Sequence, residues 1–150
     1  MSTAISGIIA ASAFRAKDLP GLFPPGHQLV FNEQLYNGTQ YILTLKRGGD
    51  LLVQSILPLH EYLLISQLVK FYPSYTPHEA LLATIYSQPI EQMRARYYAE
   101  QEEHGHCDLM FTVHKYLSRC RRRLAPFGID IRVKHRLGYE LLPLDYLYEV

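Results

Sequence analysis

The twelve residues from Val113 to Leu124 constrain this chain more than any other stretch. Val113, Leu117, Cys120 and Leu124 fall at a 4-3-4 spacing, which lines them along one face of a helix. The other faces carry Lys115, Arg119, Arg121, Arg122 and Arg123. Such a helix has to bury one stripe against a core and leave a dense positive surface outside. Pro126 and Gly128 then break it. The alternating stretch Ile129 to Val133 leads through Lys134-His135-Arg136 to Gly138-Tyr139-Glu140-Leu141, the pattern of a short hairpin.

Net charge is only +1, but it is unevenly spread. Residues 109–136 hold eight Lys or Arg against one acid, Asp130, about +7; the rest holds seven basic and thirteen acidic residues, about −6. This asymmetry puts a positive field on one region and points to a polyanionic partner. A basic helix followed by a basic hairpin suits a protein that enters one groove of DNA and holds the neighbouring backbone.

At 150 residues, 48% hydrophobic and 19% charged, the chain is long enough for a core and too apolar for general disorder. Cys107 and Cys120 stand apart, with Cys120 on the apolar stripe, so a disulfide framework is not expected and a reducing cytoplasm fits best. No apolar run reaches the ~20 residues of a membrane span, and no membrane partner is expected. Ile5 to Phe14 is weakly apolar but lacks the basic start and the length of a signal peptide.

Residues 1–26 end in Leu19-Pro20-Gly21 and Phe23-Pro24-Pro25-Gly26 and read as a breaker-rich N-terminal arm. Short strands follow: Leu29 to Phe31, then Leu35-Tyr36 and Thr39 to Leu45 around an Asn37-Gly38 turn, then Leu51 to Ile56 after Gly48-Gly49. Pro58 opens Leu59 to Tyr72, apolar nearly all round and therefore a buried helix, which Pro73 stops. Thr76-Pro77-His78-Glu79 has the form of a capping box before a short helix through Tyr86. Gln88 to Gly105 reads as an inserted helix and loop, with Tyr86, Ile90, Met93 and Tyr97 at helical spacing. Asp108 is the expected N-cap of the basic helix, placed at 108–125.

The order of a sheet, three core helices and a hairpin resembles the OmpR/PhoB-type winged-helix DNA-binding domain of bacterial response regulators. Val113, Leu117, Arg119, Arg121, Arg123 and Leu124 match its last helix, and Ile131, Gly138, Tyr139 and Leu141 match its wing. Leu57-Pro58-Leu59-His60-Glu61-Tyr62-Leu63-Leu64 is similar to the opening of its first helix. The resemblance spans about residues 28–142. It implies an α+β fold: a winged helix-turn-helix with an N-terminal antiparallel sheet, three core helices plus the inserted helix, and a C-terminal β-hairpin wing. The expected domain is 27–143, after the 1–26 arm and before a 144–150 tail. Arg136 replaces the family's first wing glycine, so a different bend is expected at the tip. The arm of residues 1–26 is far too short to hold a receiver domain, so control by aspartyl phosphorylation within these residues is not expected.

The resemblance implies a sequence-specific binder of double-stranded DNA, most simply a transcriptional regulator, with helix 108–125 in the major groove and the wing 129–141 on the backbone or minor groove. At ~100° per residue, Lys115, Ser118 and Arg122 oppose the apolar stripe and Arg119 lies close by, so these four face base edges. Arg121 and Arg123 flank them, toward phosphates. Arg132, Lys134, His135 and Arg136 are the wing contacts. One alternative is a non-catalytic winged-helix protein-interaction module; another is a DNA-binding accessory subunit of a recombination, phage or replication assembly.

Other motifs carry less. His104, His106, Cys107 and His114 are the right atoms for zinc at the wrong spacing, so no metal is expected. Glu100, Glu102 and Glu103 read as a solvated helix end rather than paired catalytic carboxylates. No nucleophile elbow, phosphate loop or dinucleotide fingerprint is present, so neither an enzyme nor a cofactor is expected. The twelve tyrosines invite single-strand stacking, but Tyr36, Tyr41, Tyr62, Tyr86 and Tyr97 sit where packing explains them. The apolar end, with Leu142, Leu144, Tyr146, Leu147 and Tyr148, fits packing onto the domain or a homodimer contact. The insertion 88–106 is a second expected protein contact, to RNA polymerase or another partner.

Overall fold

The computed structural model describes residues 14–35 and 37–144. The segment 5–13, Tyr36 and the tail residues Tyr146, Leu147 and Tyr148 lie outside the described residues. The chain is α+β, with four helices and two antiparallel sheets among the described residues. It divides into two compact units, one ending at Tyr62 and the other starting at Leu63.

The first unit is a four-stranded sheet in the order β1 (Phe14–Lys17), β2 (His27–Leu35), β3 (Thr39–Arg47), β4 (Asp50–Leu57). Leu29 to Phe31 and Leu35, expected as separate pieces, belong to the single strand β2. Leu29, Val30 and Phe31 on β2, Ile42, Leu43, Thr44 and Leu45 on β3 and Leu57 on β4 are buried, in continuous runs rather than the alternation of a sheet with one face in water. Tyr62 closes this cluster, with its ring edge-on to Phe31 at 5.8 Å and its hydroxyl donating to Glu33 Oε2 at 3.4 Å. The β2–β3 turn uses positive φ at Asn37 (52°) and Gly38 (108°), as the Asn-Gly pair requires.

Part of the expected arm is in the sheet. Phe14–Lys17 pairs with Leu29–Asn32 as β1. The breakers that follow form a packed connection, in which Leu19, Leu22 and Phe23 are buried and Leu22 N donates to Leu19 O at 3.0 Å. Prolines and glycines end the strand here, while the apolar residues between them still bury.

Helix α1 (Leu59–Phe71) buries Glu61, Tyr62, Leu64, Ile65, Leu68 and Val69. In the second unit, β5 (Thr76–Pro77) leads into α2 (His78–Tyr86), α3 (Ile90–His104) and α4 (Met110–Leu124). A 3₁₀ turn, Ala125–Phe127, and Gly128 at φ 80° reverse the chain into β6 (Ile129–Lys134) and β7 (Gly138–Pro143). These strands form a small sheet in the order β5-β7-β6. Among the described residues no helix is long and apolar enough to cross a membrane.

Two expected caps are replaced by other contacts. Pro77, not Thr76, is the N-cap of α2, and no side chain caps it. Thr76 is drawn into pairing with Tyr139, its hydroxyl donates to Gln67 O at 3.4 Å, and Glu79 instead receives Arg94 Nε at 3.1 Å. Likewise α4 starts at Met110 rather than 108, with Leu109 as an uncapped N-cap, while Asp108 pairs with His106 at 3.0 Å. Glu100 accepts from the Asp108 backbone N–H and the Cys107 thiol just ahead of α4, and no side chain caps the helix itself.

Candidate functional site

Helix α4 and the β6–β7 hairpin meet along a groove of about 410 Å³. The α4 stripe is buried as its spacing requires: Val113, Leu117, Cys120 and Leu124, joined by Met110. With that face fixed on the core, Lys115, Ser118, Arg119, Arg121, Arg122 and Arg123 are all exposed. On the hairpin Arg132, Lys134, His135 and Arg136 are exposed too.

The groove collects only some of these. Its α4 wall is His114, Leu117, Ser118 and Arg121; its hairpin wall is Ile131, Arg132, Val133 and Tyr139. Lys115, Arg119, Arg122, Arg123, Lys134, His135 and Arg136 do not line it. Arg119 stands over the Tyr116 ring at 5.7 Å, which steadies its guanidinium.

Arg121 is engaged within the chain. Its Nε donates to Asp130 Oδ1 at 2.6 Å and its Nη2 to Oδ2 at 3.2 Å, a two-pronged ion pair. The same Oδ1 accepts the Ile131 backbone N–H at 2.9 Å. Those bonds and the carboxylate charge hold the Arg121 guanidinium still more firmly protonated than usual. The seven remaining Lys and Arg of residues 109–136 carry the excess charge: Lys115, Arg119, Arg122 and Arg123 on α4, and Arg132, Lys134 and Arg136 on the hairpin.

An aromatic cluster that sequence reasoning missed starts in the groove wall at His114 and Tyr139 and continues inward to His78 and Tyr97. Tyr139 meets His114 at 6.1 Å on one side and His78 at 5.8 Å on the other, and His78 stacks on Tyr97 at 5.1 Å. Burial pushes the pKa of His78 and of His114 down; for His78, Glu79 opposes the shift and His114 adds to it. Burial raises Tyr139 and Tyr97. The available signal was modest: His114 lies one residue from the buried stripe, and Tyr139 pairs in register with Val133.

At the hairpin tip the chain reverses between Lys134 and Gly138. Lys134 pairs with Gly138, Leu137 N donates to Lys134 O at 2.9 Å, and Arg136 takes φ 62°. That conformation is unfavourable for a residue with a Cβ.

The His104–Cys107 stretch is turned to local contacts. His106 pairs with Asp108, His104 lies 3.9 Å from Glu103, and Cys107 is buried. Among the described residues no three His, Cys, Asp or Glu side chains come together to hold a metal. Glu100, from the acidic end of α3, pairs with Arg96 at 3.0 Å, which together with the Cys107 and Asp108 bonds holds its carboxyl below the ordinary range.

No protein-family model, curated protein or solved structure matches the chain.

Proposed function

We propose that this chain is a sequence-specific double-stranded DNA-binding protein of winged-helix type, working as a transcriptional regulator. Helix α4 enters the major groove and the β6–β7 hairpin acts as the wing on the backbone or minor groove. The observation that carries the reading is the placement of seven Lys and Arg side chains on α4 and the hairpin, the two elements that wall one groove of one compact unit. The element order supports it: an antiparallel sheet, then helices, then a hairpin whose second strand also pairs with β5. In this reading α3 is the insertion between the second and third winged-helix helices.

Lys115, Ser118, Arg119 and Arg122 face base edges, where Arg reads guanine through its two-pronged fork. Arg123, Arg132, Lys134, His135 and Arg136 are suited to phosphates. The test is binding of the purified protein to random duplex DNA over a salt series, with single strand as control. Log affinity is expected to fall linearly with log salt by about 0.9 per phosphate contact. Flat or absent duplex binding rejects the reading.

A second reading, a winged-helix protein-interaction module, is favoured by apolar side chains left in water on this unit: Phe111 at the start of α4 is 70% exposed and Tyr98 on α3 56%. It predicts a protein partner and no salt-dependent affinity for duplex DNA.

A further inference from the structure

Arg121 sits on the basic helix among residues suited to DNA, yet its geometry separates it from them. The Asp130 side chain is 2% exposed and that of Arg121 58%. A carboxylate so far from water needs its lone pairs filled, and here the Arg121 fork and the Ile131 N–H fill them. The edge of the guanidinium formed by Nε and Nη2 is therefore occupied, and its charge is cancelled within the protein. Arg121 stands in the last turns of α4 and Asp130 is the second residue of β6. Between them the backbone passes through a 3₁₀ turn and through Gly128 in the left-handed region, and the Arg121–Asp130 pair ties helix and strand together across that bend. Arg121 is on one wall of the groove and Ile131 and Arg132 are on the other, so the pair joins the two walls.

We propose that Arg121 is a positioning residue and not a DNA contact: its ion pair with Asp130 fixes the hairpin against α4 so that both engage one duplex together. The proposal rests on the DNA-binding reading. It makes an unusual prediction of sign. Removing the negative charge of Asp130 ought to strengthen attraction to a polyanion if charge alone mattered. If the pair sets the hairpin angle, the same change weakens binding, because the hairpin cations no longer reach the backbone when α4 is seated.

The experiment compares Asp130→Asn, Arg121→Gln and the double variant in anisotropy binding to duplex DNA, each also in a Lys134→Gln/Arg136→Gln background. Asparagine keeps the shape and an acceptor for the Ile131 N–H, and the Arg121 it releases is already largely in water, so the fold is expected to survive. Each single variant is expected to weaken binding about fivefold, with the double no worse than either, as expected for one charge-assisted pair. In the hairpin-neutral background the effect is expected to vanish. A mere loss of overall stability, or a lost direct contact, would persist there. Asp130→Asn binding as tightly as wild type or tighter, or an undiminished loss in the hairpin-neutral background, overturns the proposal and leaves the DNA reading standing. A wild-type protein with no affinity for duplex brings down both.

Discussion

Gly138 lies so close to Thr76 that a Cβ at position 138 would overlap the Thr76 carbonyl oxygen and stand 2.7 Å from its carbon. Both are backbone atoms, so no side chain can swing aside. This approach is what lets β5 pair with β7, Thr76 opposite Tyr139 and Pro77 opposite Gly138. Gly138→Ala is therefore expected to destabilise the protein by about 2–3 kcal/mol through overpacking and loss of that pairing. Gly128→Ala, at φ 80° with nothing within 4 Å of the added Cβ, is expected to cost only about 1 kcal/mol of backbone strain. Urea unfolding of the two variants checks the order; equal effects would mean that β5–β7 contact contributes little.

Arg136 should separate stability from binding. Its φ of 62° costs a residue with a Cβ energy that glycine avoids. Arg136→Gly is expected to raise stability by about 0.5–1 kcal/mol, less than the full strain because glycine also gains freedom in the unfolded chain. The same change removes a hairpin cation, so duplex affinity is expected to fall and the salt slope to shrink by about one. Denaturant melts and salt titrations on one preparation test both signs. A stabilised variant with an unaltered slope would remove Arg136 from the DNA contacts.

His78 makes stability depend on pH. It is held among Tyr97 from α3, Tyr139 from β7 and Glu79 on its own helix, with His114 of α4 beyond Tyr139 and Arg94 neutralising Glu79. Its Nδ1 is buried with no hydrogen-bond partner among the described residues. Burial lowers its pKa in the folded protein from the ordinary 6.5, and that of His114 also falls. The unfolded chain then takes up protons before the native state does. Stability is full above 6.5 and is lost as pH falls toward the lowered native value. His78→Phe keeps a ring against Tyr97 and removes the titrating group. Urea midpoints measured from about pH 7.5 to 5 are expected to fall less steeply in the variant, with His114 supplying the remaining slope. A wild-type midpoint flat across this range would refute the assignment.

What could be read in the sequence was what local periodicity governs. The α4 stripe follows from spacing alone, as do the nearly all-round apolar α1 and the Asn37-Gly38 turn, because each is decided within a few residues. What depended on distant partners was hidden. Thr76 and Glu79 have the form of a capping box, but β7 captures one and Arg94 the other. Arg121 and Asp130 are visible as charges, while their pairing follows from the bend at Gly128, which a linear pattern does not encode. The β1 strand was concealed because the prolines and glycines after it dominate the composition of residues 1–26.

Arg122 provides the sharpest test of which face of α4 meets DNA. It lies opposite the buried stripe with Lys115 and Ser118, and its side chain is exposed. Arg122→Glu replaces an attraction with a repulsion at the centre of the proposed interface, and is expected to cost tenfold or more in duplex affinity, about 1.4 kcal/mol or above. Arg96→Glu changes the charge by the same amount on α3, away from α4 and the hairpin, where Arg96 is paired with Glu100. It is expected to cost far less. If both reversals weaken binding equally, attraction to DNA is a property of net charge and α4 has no privileged face. If only Arg122→Glu acts, and its loss depends on the sequence of the duplex, the residue reads bases; a loss uniform across sequences moves it to the phosphates.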